Sequence, residues 1–162
     1  MFMRSASGPF FIQSTHFFIM HRVFIYGSLK TNEMNSFHMA DESHGKAVFI
    51  GKGRTSKKWP VIFVDYKEYT HFPAMIYQEG IGHQVEGEIW ELDDKFLKWL
   101  DEFEGHPDLY CRKTMQITHE DNSKEETCYI YVFMKFTGNV SESSTFLRSY
   151  NSAECGRPYK VT

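Results

Sequence analysis

Val23-Phe24-Ile25-Tyr26-Gly27-Ser28-Leu29-Lys30 is the stretch on which the fold turns. Val23 to Tyr26 is apolar at every position, with β-branched and aromatic side chains, which reads as a strand buried on both faces. It stops at Gly27, followed by the small hydroxyl residue Ser28. A strand that ends in a glycine turn leaves backbone N–H groups without strand partners, and such groups can stabilise an oxyanion.

Further strands follow this one. Ala47 to Ile50 is the second, closed by Gly51 and Gly53, and Val61 to Val64 is the third, introduced by Pro60. Ala74 to Tyr77 is the fourth, opened by Pro73 and closed by Gly80 and Gly82. Val85 to Leu92 is the fifth, with Val85, Gly87 and Ile89 on one face and Glu86, Glu88 and Trp90 on the other. Both strand glutamates are expected to face solvent. Met115 to His119 and Cys128 to Met134 form a hairpin over the polar turn Glu120 to Glu126. Asn32 to Met39 reads as a short helix capped by Thr31 or Asn32. The polar segment Ser141 to Thr162 is expected to wrap the surface. Short strands with few helices indicate an α+β fold, a curved or closed antiparallel-rich sheet carrying helices outside it.

One helix is strongly periodic, from Asp94 to Glu104. Asp93 or Asp94 can cap its start by accepting first-turn amides. Gly105 follows as the C′ residue and Pro107 prevents continuation. Phe96, Leu97, Trp99, Leu100 and Phe103 share one face, and Lys95, Lys98 and Glu102 the other. Asp101 falls at the edge. Glu104 lies within the apolar arc, between Leu100 and Leu97. Burial and the negative helix end both disfavour its ionised form, raising its pKa by on the order of one to two units. Two ordinary outcomes stand beside this: the side chain bends out to water, or it pairs with a cation such as Arg112.

The 162 residues suffice for one domain with a real core. Aromatic residues make up 17%, which fits a lined cavity or a densely packed core. The net charge of −3 comes from mixed acids and bases, with no basic stripe, so a nucleic-acid partner is not expected. No apolar run is long enough to span a bilayer, and no membrane association is expected. The three cysteines are widely spaced with no CxxC pair, which fits free thiols and the cytoplasm. The eight histidines include no HxH or HExxH, so no metal is expected. Residues 1–19 contain no acid and one Arg. They read as an optional extension or a targeting segment ahead of a single domain at 20–162.

Tyr26-Gly27-Ser28-Leu29 after a Val-Phe-Ile strand resembles the opening motif of the γ-glutamylcyclotransferase-like superfamily. The run Leu100-Asp101-Glu102-Phe103-Glu104, with Pro107, Tyr110 and Arg112, and the stretch Val85-Glu86-Gly87-Glu88-Ile89 resemble its γ-glutamylaminecyclotransferase branch. Gly53-Arg54-Thr55, Trp59-Pro60-Val61 and Tyr150-Asn151-Ser152 are similar too. Gly105-His106 and Ala153-Glu154-Cys155 match less closely.

The resemblance implies a small mixed β-barrel with surrounding short helices, and a cofactor-free conversion of γ-glutamyl amines, such as γ-glutamyl-ε-lysine, to 5-oxoproline and the free amine. It matches Glu104 to the catalytic glutamate. Tyr26, Gly27, Ser28 and Leu29 match the loop that holds the γ-glutamyl group, with Ser28 as a hydrogen-bond partner of substrate. Tyr26 is a pocket wall or plain core, and Tyr110 is packing. The alternatives are the same reaction on γ-glutamyl dipeptides or glutathione, or a non-catalytic binding protein. A monomer with a small-molecule γ-glutamyl substrate is expected.

Overall fold

The computed structural model describes residues 19–141, 145–153 and 160–161. The extension expected at 1–19 lies outside these residues except for Ile19, as does Cys155. Eight strands and one α-helix follow in order: β1 Met20–Ile25, β2 Ala47–Trp59, β3 Val61–Tyr66, β4 Tyr69–Met75, β5 His83–Asp93, α1 Asp94–Glu104, β6 Tyr110–His119, β7 Glu125–Phe133 and β8 Lys160–Val161.

Five strands close a barrel in the order β1-β5-β2-β6-β7. Antiparallel pairing carries it from β1 to β7, and a parallel contact between Val23 and Tyr129 seals it. The barrel is therefore mixed. β3, β4 and β8 form a separate three-stranded sheet.

The unbroken apolar character of β1 follows from its place between two cores. Phe24 and Tyr26 join Val85, Ile89, Met115, Ile117, Ile130 and Val132 in one cluster, on the strand faces that turn toward the barrel interior. Val23 and Ile25 join Phe96, Leu97 and Leu100 of α1 and Phe72 and Ala74 of β4 in the other. Gly87 makes room for this: a Cβ there would stand 2.6 Å from the Phe24 ring.

Several boundaries differ from those expected. β2 does not stop at Gly51 but runs to Trp59, with register shifts after Phe49 and Arg54. A Cβ at Gly53 would meet the Thr118 carbonyl oxygen at 2.9 Å, so this glycine serves close strand approach, not termination. β4 begins earlier than expected and takes in Pro73, opposite Phe63. The hairpin strands extend to Tyr110 and Glu125, around a shorter turn. The helix expected over 32–39 shrinks to a 3-10 segment at Ser36–Ala40, with another at Glu42–His44. Asn32 has φ 68°, a left-handed conformation in which a helix cannot start. The C-terminal segment does more than wrap the surface: Tyr150 is fully buried, and the Leu147 amide donates to Val61 at 2.9 Å.

Helix α1 forms over the span expected. Asp93 is its cap, with one oxygen accepting the Phe96 amide at 2.8 Å and the other the Lys46 amide at 2.9 Å. Gly105 ends it in the left-handed conformation, φ 64°. Among the described residues, no helix is long and apolar enough to cross a membrane, and no group of three or more His, Cys, Asp or Glu residues could hold a metal ion.

Candidate active site

The end of β1 and the end of α1 meet at one cavity of about 380 Å³. Tyr26, Gly27, Ser28, Leu29 and Glu104 all line it. Phe72, Pro73, Tyr110 and Tyr131 add walls, and Met34 and Phe103 bring exposed apolar surface to it. Phe103, expected on the buried helix face, is 39% exposed and stacks on Trp99. Strand alternation delivers Tyr26 and Ile25 to different cores, and the chain turns over the cavity at Gly27.

Glu104 is partly enclosed by that apolar lining. Among the described residues no hydrogen bond or ion pair reaches its carboxyl group. Burial alone pushes its pKa from the ordinary 4.5 up to about 8, further than the periodicity of the helix suggested. The cation considered as its partner is engaged elsewhere: Arg112 donates to Asp101 at 3.0 Å and lies over the Tyr129 ring. Asp101 also accepts from the Tyr131 hydroxyl at 2.6 Å. Asp101 thus ties the helix to two strands, one turn before Glu104, and leaves Glu104 without a counter-charge.

The loop that shares this cavity with Glu104 is braced. A turn closes with the Lys30 amide donating to Gly27 at 3.1 Å. Asn35 holds Ser28 twice, its amide donating to the Ser28 carbonyl at 3.0 Å and its side chain to the Ser28 hydroxyl at 2.9 Å. Among the described residues, the N–H groups of Gly27, Ser28 and Leu29 have no acceptor. Orphan amides in a braced loop are the fixed donors that a developing oxyanion needs. Gly27 has no positive φ; its role is spatial, since a Cβ there would press on the Pro73 ring at 3.2 Å.

Tyr26 is both wall and core. Its hydroxyl donates to the Tyr131 carbonyl at 2.8 Å and accepts the Met75 amide at 3.1 Å. Burial raises its pKa far above the phenol range, and the Glu104 charge adds to this, so it acts as a strut and not as an acid. Tyr110 likewise spends its hydroxyl on the Pro73 carbonyl, at 2.9 Å.

Asn35 was missed by the sequence reading. Nothing in the polar run after Leu29 distinguished it from a turn residue. Glu88 was misjudged: it is 7% exposed, not solvent-facing. Its carboxylate accepts the Thr31 amide at 3.0 and 3.1 Å and the Trp90 indole N–H at 3.0 Å. The loop above β5 covers it, and strand alternation alone carries no information about that loop.

An isolated carboxyl group and unpaired backbone donors lining one cavity beside a small closed barrel are groups of the kind that acyl-transfer sites use. The sequence profile described as γ-glutamyl cyclotransferase, AIG2-like, matches residues 23–150. The chain is 32% identical to γ-glutamylaminecyclotransferase of Mus musculus, over 86% of this chain and 93% of that protein. It is 35% identical to γ-glutamylaminecyclotransferase of Bos taurus, over 67% of this chain and 63% of that protein. The crystal structure of an AIG2-like protein from Mus musculus superposes with a TM-score of 0.77 at 32% identity, covering 87% of this chain and 95% of that one. The chain belongs to the AIG2-like γ-glutamyl cyclotransferase family.

Proposed function

We propose that the protein is a γ-glutamylaminecyclotransferase, which converts γ-glutamyl amines such as γ-glutamyl-ε-lysine into 5-oxoproline and the free amine. The observation that carries this reading is Glu104: a carboxyl group with a pKa raised to about 8, lining the same cavity as Gly27, Ser28 and Leu29, whose amides are unpaired. Its relatives in mouse and cattle bear the same activity in their names.

The α-amino group of the γ-glutamyl moiety attacks its own γ-carbonyl carbon. A C–N bond closes the lactam ring and the C–N bond to the leaving amine breaks. Folding one molecule onto itself with good alignment supplies ~7–11 kcal/mol of the barrier, so the protein needs no covalent nucleophile. Glu104, ionised, removes a proton from the substrate ammonium and frees the nucleophile. The loop amides hold the negative charge that develops on the carbonyl oxygen. Glu104, now protonated, returns the proton to the departing nitrogen. The ring nitrogen gives up two protons in all; the leaving nitrogen takes one on departure and a second on becoming an ammonium in water. A proton affinity near neutrality suits a group that must both take and give. Ser28, held by Asn35 and lacking a neighbouring base, binds substrate and is not a nucleophile.

The lining of the cavity favours amines over peptides as leaving groups. Among the described residues that line it there is no Lys or Arg. A γ-glutamyl dipeptide or glutathione places further peptide or carboxylate groups next to the scissile bond, where no Lys or Arg among the described lining residues meets them. In this reading the catalytic unit is residues 20–162, acting as a cytoplasmic monomer. The test is 5-oxoproline release from γ-glutamyl-ε-lysine, γ-glutamyl-alanine and glutathione at equal concentration. Turnover is expected chiefly with the first. Faster turnover of either of the others refutes the assignment of the leaving group, and turnover of none refutes the enzyme.

A further inference from the structure

We propose that Glu88 is a positioning residue that fixes the oxyanion-binding loop; this rests on the reading of that loop given above. Glu88 stands on β5 opposite Ile25, the last residue of β1. The chain leaves the barrel there, passes through Tyr26 to Lys30 and comes back over Glu88 at Thr31. The first end of this excursion is pinned by strand pairing. The second is pinned by the Glu88 carboxylate, both oxygens of which lie within hydrogen-bond distance of the Thr31 amide, at 3.0 and 3.1 Å.

A carboxylate only 7% exposed is costly unless its oxygens are satisfied. Among the described residues no Lys, Arg or His forms an ion pair with it, and N–H donors alone compensate it. One donor belongs to the loop and the other to Trp90, two residues along the same strand. The loop is thereby held from two sides: by Asn35 at Ser28 and by Glu88 at Thr31. Amides fixed in this way need no reorganisation when charge appears on the carbonyl oxygen. A displacement of about 1 Å at such a site can cost on the order of 10²-fold in rate.

Reach and charge can be separated by substitution. Glu88→Asp keeps the charge but is one methylene too short for the Thr31 amide. Glu88→Gln keeps the reach and one amide-accepting oxygen but loses the charge. Trp90→Phe removes the other donor and leaves the loop contact intact. Positioning predicts a kcat for E88D at least tenfold below the wild type with KM changed less than threefold, a kcat for E88Q within about threefold, and W90F within about twofold. Exchange of the Thr31 amide with solvent deuterium is expected to speed at least tenfold in E88D alone. Full activity in E88D, E88Q as impaired as E88D, or W90F matching E88D would each overturn the proposal. If the wild type releases no 5-oxoproline from any γ-glutamyl compound, the functional reading fails. The exchange experiment still decides whether Glu88 holds the loop.

Discussion

Replacing Glu104 with glutamine is expected to abolish cyclisation and to make the protein more stable at alkaline pH. A rise in pKa from 4.5 to about 8 means that the folded chain holds this proton far more tightly than the unfolded chain does. At ~1.4 kcal/mol for each tenfold change in proton affinity, the difference amounts to on the order of 4–5 kcal/mol. Below pH 4.5 the group is neutral in both states and contributes nothing. Between pH 4.5 and about 8 the unfolded chain has lost the proton and the folded chain keeps it, so stability falls as pH rises. Above about 8 both states are ionised and the full penalty is present. The glutamine amide of the variant carries no such proton. Urea unfolding of wild type and E104Q, followed by tryptophan fluorescence at pH 5, 7 and 9, isolates the effect. The advantage of the variant should be small at pH 5 and grow by several kcal/mol toward pH 9. A difference that stays constant within about 0.5 kcal/mol over that range shows the carboxyl group to be normally solvated and refutes the reasoning. A variant that gains stability as it loses turnover is the pattern of a site kept under strain for function.

Two further outcomes follow from the same geometry. The kcat/KM for a γ-glutamyl amine should climb with pH up to about 8, as the free enzyme's Glu104 ionises; the limb for kcat should lie lower, because the bound substrate ammonium favours the carboxylate, and a flat profile from pH 6 to 9 contradicts Glu104 as the base. Gly27→Ala places a methyl group 3.2 Å from the Pro73 ring with no forbidden φ, so turnover should drop about tenfold or more while stability changes by about 1 kcal/mol or less; a rate equal to wild type excludes the loop from the reaction.

The sequence by itself determined the local facts. An apolar run buried on both faces was legible as β1 because no strand exposed on one side carries Val, Phe, Ile and Tyr in succession. Helix α1, its acidic cap, its glycine end and the anomalous place of Glu104 were legible because helical periodicity fixes which side chains share a face. The small mixed barrel, the cavity loop and the family were within reach through a resemblance whose motifs are short and contiguous. Tertiary structure decided whatever depends on distant partners. β2 continues through Gly51 and Gly53 because neighbouring strands need the space, a signal that reads locally as a turn. Glu88 is buried because the loop that follows the neighbouring strand closes over it. Arg112 chooses Asp101 over Glu104, and only that choice leaves the candidate base without a counter-charge. The closure of the barrel between Val23 and Tyr129, like the sharing of one cavity by Glu104 and the Gly27–Leu29 loop, joins groups far apart along the chain, and hydrophobic pattern carries no information about such pairs.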